Sequence, residues 1–174
     1  ILPFLYERVG HERRISKRRG ITMNVNVLRS ESTGSIHVKS ADPDEPPAIR
    51  FNFLSARADR EGVLAAIRKG RELMETSPMR EVVSEEIAPG KLVQSDDELL
   101  DWVRHNAETT YHPVGTCRMG SDALAVVDPE LRVHGIAGLR VADASIMPTL
   151  TSGNTNAPCI MIGEKCAEMI LSAA

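Results

Sequence analysis

The sequence predicts an α+β fold, in which an antiparallel sheet carries helices on one side. Apolar and polar side chains alternate between residues 21 and 53, which is the two-residue period of half-buried strands. Between residues 59 and 109 the apolar side chains recur at the spacing of amphipathic helices. Because the strands come first and the helices follow without regular alternation, we expect the helices to pack on one face of the sheet.

The alternating region divides into three predicted strands. The first spans residues 21–28, and the pattern resumes at residues 36–38 after Gly34, so these two strands are expected to form a hairpin. A proline-rich segment at residues 42–47 excludes a helix and predicts a rigid turn. The third strand then covers residues 49–53, which completes an antiparallel sheet with one solvent-exposed face.

Two helices are predicted after the strands. The first spans residues 59–75 and ends before Pro78, because a residue that precedes proline is disfavoured in helical geometry. The second begins at Ser95, which forms a capping-box pattern with Glu98, and runs to about Thr109.

Composition and charge restrict the class of partner. The chain has 174 residues, 42% of them hydrophobic, and a formal net charge of −3. It is therefore long enough for an ordinary core, and no nucleic-acid partner or membrane contact is expected from its overall charge. A cluster of basic residues near the N-terminus contains no aromatic side chain that could stack on a base, so we interpret it as solvated or partner-facing surface. This cluster consists of Arg8, Arg13, Arg14, Lys17, Arg18 and Arg19.

The three cysteines favour a reducing compartment over a disulfide scaffold. Cys117, Cys159 and Cys166 form an odd number without a Cys-x-x-Cys pair, so we expect a cytoplasmic protein and no metal site. No run of 18 apolar residues is present, and a membrane-spanning helix is not predicted. The chain begins at Ile1 within an apolar stretch, which we interpret as the mark of a C-terminal fragment.

Residues 109–170 contain the polar motifs on which a functional hypothesis can rest. The first, at residues 110–120, places His112 before a proline in a glycine-containing loop. The second, at residues 139–145, is a short apolar segment, predicted to be a strand, that leads to Asp143. The third, at residues 151–158, is a polar turn that leads into a predicted helix over residues 157–172. Gly163 lies within that helix, where glycine is unfavourable by about 1 kcal/mol relative to alanine, so we expect close packing there.

These motifs, in this order over about 60 residues, resemble the C-terminal signature of the glucose-methanol-choline (GMC) flavin-dependent oxidoreductases. The nearest resemblance is to the bacterial choline and alcohol dehydrogenase branch. It implies FAD as cofactor and oxidation of the CH–OH group of a small-molecule alcohol, choline-like or another primary alcohol, by hydride transfer to flavin.

The resemblance also implies a domain organisation. Residues 1–110 would form a substrate-binding region, and residues 111–174 would supply the catalytic loop and complete an FAD-binding α/β domain. No Gly-x-Gly-x-x-Gly motif occurs in the chain, so the site for the FAD pyrophosphate is expected in a missing N-terminal half of the same protein. The fragment alone is therefore expected to be inactive and not to hold FAD tightly.

The resemblance assigns catalytic roles to two side chains. His112 would accept the proton of the substrate hydroxyl or stabilise the alkoxide, a role that suits imidazole because it exchanges a proton near neutral pH. Asn154 would hydrogen-bond the same oxygen, with Asn156 as its rival. Taken without the family, His112 is more readily explained as a hydrogen-bonded structural histidine, and Asn154 as a turn residue before a helix.

Cofactor binding is assigned to two other places. Asp143, with the backbone of Ala144, would bind near the ribityl and phosphate linkage, although a turn or capping aspartate explains the same residue. Thr155, Asn156 and Pro158 lie at the start of the last predicted helix, whose free amides and dipole stabilise an anion. In the family this end would face the pyrimidine edge of the flavin.

Two alternatives stay open at the level of sequence. One is a lyase that retains flavin without a net redox change, similar to a hydroxynitrile lyase. The other is a fragment that does no chemistry by itself. The substrate is also undetermined, since a quaternary ammonium group needs aromatic or acidic walls and the chain has six aromatic residues.

Overall fold

The chain forms two units, and each unit consists of two segments that are separate in sequence. The computed structural model describes residues 1–9 and 12–173. One unit contains Ile1–Val27 and Ala56–Ala107, and the other contains Leu28–Ser55 and Glu108–Ala174. The division of function at residue 110 stays a prediction. Residues 28–55, which were assigned to the substrate-binding region, lie in the same unit as the C-terminal segment.

The first unit begins with a hairpin that was not predicted. Strand β1 (Tyr6–Val9) pairs antiparallel with β2 (Glu12–Ile15), with Tyr6 opposite Ile15. Four residues of the basic cluster are exposed, as expected of a surface, while the side chains of Arg8 and Arg13 lie outside the described part. The exposed residues are Arg14, Lys17, Arg18 and Arg19.

Helix α1 (Arg57–Met74), the short α2 (Ser77–Arg80) and α3 (Asp96–Asn106) complete the first unit. Both long helices were predicted, and the structure confirms them with ends shifted by a few residues. The capping box is present, since the Ser95 Oγ accepts from the Glu98 N–H at 3.3 Å and the Glu98 carboxylate accepts from the Ser95 N–H at 3.0 Å. Pro78 does not simply end α1: it lies in the first turn of α2, where its missing N–H leaves no hydrogen bond unmade.

The predicted strand over residues 21–28 is wrong. Only Thr22 pairs, with Leu2, in an isolated bridge. The alternating apolar side chains instead face glycines of α1: a Cβ at Gly62 would lie 3.1 Å from Val27, and a Cβ at Gly70 would lie 3.0 Å from the sulfur of Met23. The two-residue period therefore arises because an extended segment packs on a helix.

The second unit contains the other hairpin, formed by β3 (Ser35–His37) and β4 (Ala48–Arg50), with Ile36 opposite Ile49. The two hairpins belong to separate two-stranded sheets, so the predicted three-stranded sheet is wrong within the described residues, although the α+β class holds. The second predicted strand pairs with the third, across the proline-rich turn.

The core of the second unit surrounds the last helix, α4 (Asn156–Ser172), as predicted. A short 3₁₀ helix (Ala144–Ile146) precedes it. The buried side chains of this core are Val127, Leu131, Ile146, Met147, Ile162 and Cys166. The predicted strand over residues 139–141 is wrong, since Arg140 makes only an isolated bridge with Arg132. Among the described helices, none has both the length and the apolar character that a membrane span requires.

Candidate active site

The loop that carries His112 is fixed to the core of the second unit by backbone contacts. Cys117 donates its N–H to the Ser145 carbonyl at 3.0 Å, and Met119 donates to the Ile146 carbonyl at 2.8 Å. Gly115 has a φ of +89°, and a Cβ there would lie 3.3 Å from the Met147 carbonyl oxygen. A residue with a side chain would strain this turn, so glycine allows the loop to pack closely against the 3₁₀ segment.

His112 is half-buried and contacts the residue that precedes α4. Its Nδ1 lies 2.9 Å from the Oγ1 of Thr155 and 3.5 Å from the backbone nitrogen of the same residue. Thr155 is 7% exposed. The structure thus joins the histidine motif to the polar turn, which are 43 residues apart in sequence.

Asn154 and Asn156 flank Thr155 and are both exposed. Neither amide makes a hydrogen bond to another residue in the part of the chain that the structure describes. The recorded contact of His112 is with Thr155, which was assigned to cofactor binding. Convergence of His112 with Asn154 on one substrate oxygen therefore stays a prediction.

The polar turn is tied down by a side chain from the segment before β3. Arg29 donates its Nε–H to the Oγ of Ser152 at 2.5 Å, and the Gly153 N–H donates to the Thr151 carbonyl at 2.8 Å. Sequence reasoning missed the contact of Arg29, because 123 residues separate the partners and no periodic pattern links them.

Asp143 caps the 3₁₀ helix. Its Oδ1 accepts the N–H of Ser145 at 2.7 Å, and the side chain is exposed. The structure therefore confirms that Asp143 is a capping residue, which the sequence had left open. Ala144 packs against the buried core. Among the described residues no hydrogen bond reaches the second carboxylate oxygen of Asp143, and a role for Asp143 and Ala144 in cofactor binding stays a prediction.

The start of α4 has an unusual feature for its sequence. Thr155 occupies the N-cap position, where threonine commonly accepts a first-turn N–H, but its side chain makes no capping bond. Pro158 lies half-buried in the first turn. Within the described residues the Thr155 side chain therefore leaves the first-turn amides uncapped, and together with the helix dipole they can stabilise an anion placed there.

Comparison with known proteins defines the class to which this arrangement belongs. The family model for the C-terminal part of the GMC oxidoreductases, described as "GMC oxidoreductase", matches residues 30–163. The match includes both the His112 loop and the start of α4. The chain belongs to the GMC oxidoreductase family.

Particular relatives agree with this assignment. The oxygen-dependent choline dehydrogenase of Escherichia coli O127:H6 is 49% identical over 154 residues, which cover 88% of this chain and 28% of that protein. Pyridoxine 4-oxidase from Mesorbium loti superposes with a TM-score of 0.77 at 33% identity, covering 81% of this chain and 28% of that one. A fungal aryl-alcohol oxidase superposes with a TM-score of 0.73 at 36% identity, covering 80% and 23%. The chain thus spans about a quarter of the length of the relatives it matches.

Proposed function

We propose that this chain is the C-terminal part of an FAD-dependent oxidoreductase that oxidises the CH–OH group of an alcohol to an aldehyde. The observation that carries the proposal is the placement of His112 beside the start of α4, where Thr155 holds its Nδ1 at 2.9 Å. An imidazole ring, which can accept a proton, thereby lies next to a helix end that favours negative charge. Alcohol oxidation by hydride transfer needs both features.

The residues present fit a flavin. The uncapped amides at the start of α4 suit an electron-rich ring edge, with Asn156 and Pro158 at the same helix end. Asp143, which uses one oxygen for Ser145, has the other available for a hydroxyl of the ribityl chain. FAD, when bound, supplies the acceptor for the hydride that leaves the carbinol carbon. One solved relative is described as an FAD-dependent oxidoreductase, which supports this cofactor.

His112 and Asn154 would act on the substrate oxygen. The alcohol O–H bond breaks and the proton passes to Nε2 of His112, because Nδ1 is occupied by Thr155. The exposed amide of Asn154 can donate a hydrogen bond to the same oxygen and stabilise its developing negative charge. The carbinol carbon then loses its hydride with the bonding electron pair, which leaves the aldehyde.

Choline or a similar primary alcohol is the substrate that the relatives favour. The most informative match in this respect is the choline dehydrogenase at 49% identity. Pyridoxine 4-oxidase and aryl-alcohol oxidase are named for other alcohols, and a formate oxidase of Aspergillus oryzae also matches, with a TM-score of 0.76. A part of the protein beyond these residues would complete the substrate and FAD sites, and the chain by itself would be inactive.

The proposal is tested by anaerobic reduction of the flavin in the complete protein. Choline and other primary alcohols serve as reductants, and flavin absorbance monitors the reaction. His112→Ala is expected to slow the reduction by about 10² to 10⁴. His37→Ala, which removes an exposed histidine of β3, is the matched control and should leave the rate unchanged.

An unchanged reduction rate in His112→Ala would exclude the proposed role of this histidine. A flavin that stays oxidised throughout turnover would instead select the lyase alternative, which no observation on the chain favours at present.

A further inference from the structure

The polar turn that carries Asn154 is held by side-chain contacts on both sides of this residue. On the helix side, Thr155 lies against the Nδ1 of His112 at 2.9 Å. On the other side, the Oγ of Ser152 accepts the Nε–H of Arg29 at 2.5 Å, from a segment 123 residues away in sequence. Asn154 therefore lies between two contacts, one of which is made by the proposed base.

The amide of Asn154 depends on the backbone of this turn for its position. The side chain is exposed, and it makes no hydrogen bond to another residue in the described part of the chain. The turn is closed by the Gly153 N–H, which donates to the Thr151 carbonyl at 2.8 Å, while the Thr151 hydroxyl approaches the Gly153 carbonyl only at 3.5 Å. Groups that fix the turn therefore also fix the amide.

Arg29 is well suited to fix a hydroxyl. A guanidinium stays charged and can only donate hydrogen bonds, so the Ser152 oxygen has to be the acceptor. Hydrogen bonds from a charged donor are roughly twice as strong as those between neutral groups. The planar guanidinium also gives its Nε–H a fixed direction. This contact therefore ties the polar turn to the segment that leads to β3.

We propose that Arg29 is a positioning residue, which acts through Ser152 to place the amide of Asn154 on the substrate oxygen. This inference rests on the proposed function, in which Asn154 donates a hydrogen bond to that oxygen. Such a bond is effective only in the correct geometry, since a misplacement of about 1 Å can cost about 10² in rate. Arg29 therefore affects the rate through the turn rather than through a contact with the substrate.

The test is anaerobic flavin reduction in the complete flavin-loaded protein, with choline and then other primary alcohols at saturation. Arg29→Met removes the donor and Ser152→Ala removes the acceptor, and each should slow the reduction about tenfold. The double variant should be no slower than either single variant, because both changes remove the same hydrogen bond. Arg29→Lys restores a charged donor and should recover part of the rate. Arg50→Met, at an exposed arginine of β4, is the matched control and should leave the rate unchanged.

A second cycle separates positioning from a merely structural role. Asn154→Ala should itself slow the reduction, and Arg29→Met added to it should cause no further loss, because the amide that Arg29 positions is absent. A general loss of structure would slow both backgrounds alike. Arg29 and Ser152 are both exposed, and substitutions of exposed residues usually change stability little, so we expect the variants to fold.

The positioning role and the proposed function fail in different ways. An undiminished rate in Arg29→Met, losses that multiply in the double variant with Ser152→Ala, or an equal loss with and without Asn154 would each overturn the positioning role. An undiminished rate in His112→Ala would overturn the proposed function instead. Should Arg29→Met not fold, Ser152→Ala combined with Asn154→Ala gives the same cycle.

Discussion

The Arg118 side chain forms a two-point ion pair with Asp122 just after the His112 loop. Its Nη1 and Nη2 lie 2.8 Å and 2.5 Å from the two carboxylate oxygens. The carboxylate also accepts the Leu124 N–H at 3.0 Å. Hydrogen bonds from Arg118, and then the one from Leu124, hold the pKa of Asp122 well below its ordinary value of 3.8. This pair therefore links the stability of the loop to pH.

Asp122→Asn should reveal that link. A carboxyl whose pKa is lowered by folding stabilises the folded state above its unfolded pKa, and the contribution is lost as the pH falls through its folded pKa. We expect Asp122→Asn to lower the melting temperature slightly at pH 7, with a difference that shrinks below about pH 4. Thermal unfolding between pH 2 and pH 7 measures it, and Asp44→Asn, at an exposed turn, is the control. A difference that grows as the pH falls would contradict the prediction.

Single residues also show what sequence could predict at the candidate site. His112 and the start of the last helix were predicted from the motif order, and the capping role of Asp143 was one of the two roles that the sequence predicted for it. The contact between His112 and Thr155 was not predicted, because the two residues are 43 positions apart and no local pattern links them. When a hydroxyl has two possible hydrogen-bond partners, the local sequence does not determine which of them it binds.

Helix α1 and the extended segment before it depend on two glycines. Gly62 and Gly70 lie in the interior of α1, where each is unfavourable by about 1 kcal/mol relative to alanine. Close approach of the segment at residues 21–27 explains their presence, since a Cβ at either position would meet a side chain of that segment. The neighbours differ in stiffness: Val27 is β-branched and Met23 is flexible.

Alanine at these two positions should therefore have different effects. In Gly70→Ala the new methyl group displaces the flexible thioether of Met23, and we expect a gain in stability of up to about 1 kcal/mol. In Gly62→Ala the methyl group meets Val27 at 3.1 Å, and the contact should cancel or exceed that gain. Hydrogen exchange of the α1 amides measures both changes, with each variant as the control for the other. Equal stabilisation in the two variants would show that Val27 moves aside freely.

At the scale of elements, helices were predicted better than strands. Their start and stop signals are local, and the capping box of Ser95 and Glu98 is formed as predicted. The alternation at residues 21–28 was misread because a two-residue period is produced by any extended chain with one buried face. The turn at residues 42–47 was correct, but the partners of its hairpin depended on contacts that are remote in sequence.

The exposed outer face of α4 is relevant to how the complete protein packs. One side of the helix is buried, through Ile162 and Cys166, while Ile160 on the opposite side is 60% exposed. Nothing lies within 4 Å of a Cβ built at Gly163, so the close packing predicted there is not made by the residues that the structure describes. The chain covers 28% of its choline dehydrogenase relative. We therefore expect another part of the complete protein to pack on this face.

Ile160→Glu tests that expectation. At a position that stays exposed, such a substitution changes stability by no more than about 0.5 kcal/mol. If the face is covered in the complete protein, an unpaired carboxylate is buried and the cost rises to several kcal/mol. We expect a lower melting temperature and a lower flavin content in the purified variant, measured by thermal unfolding and by absorbance. Glu168→Gln, at an exposed residue of the same helix, should change neither quantity. A complete protein that accepts glutamate at position 160 without loss of stability would show that the outer face of α4 remains in contact with water.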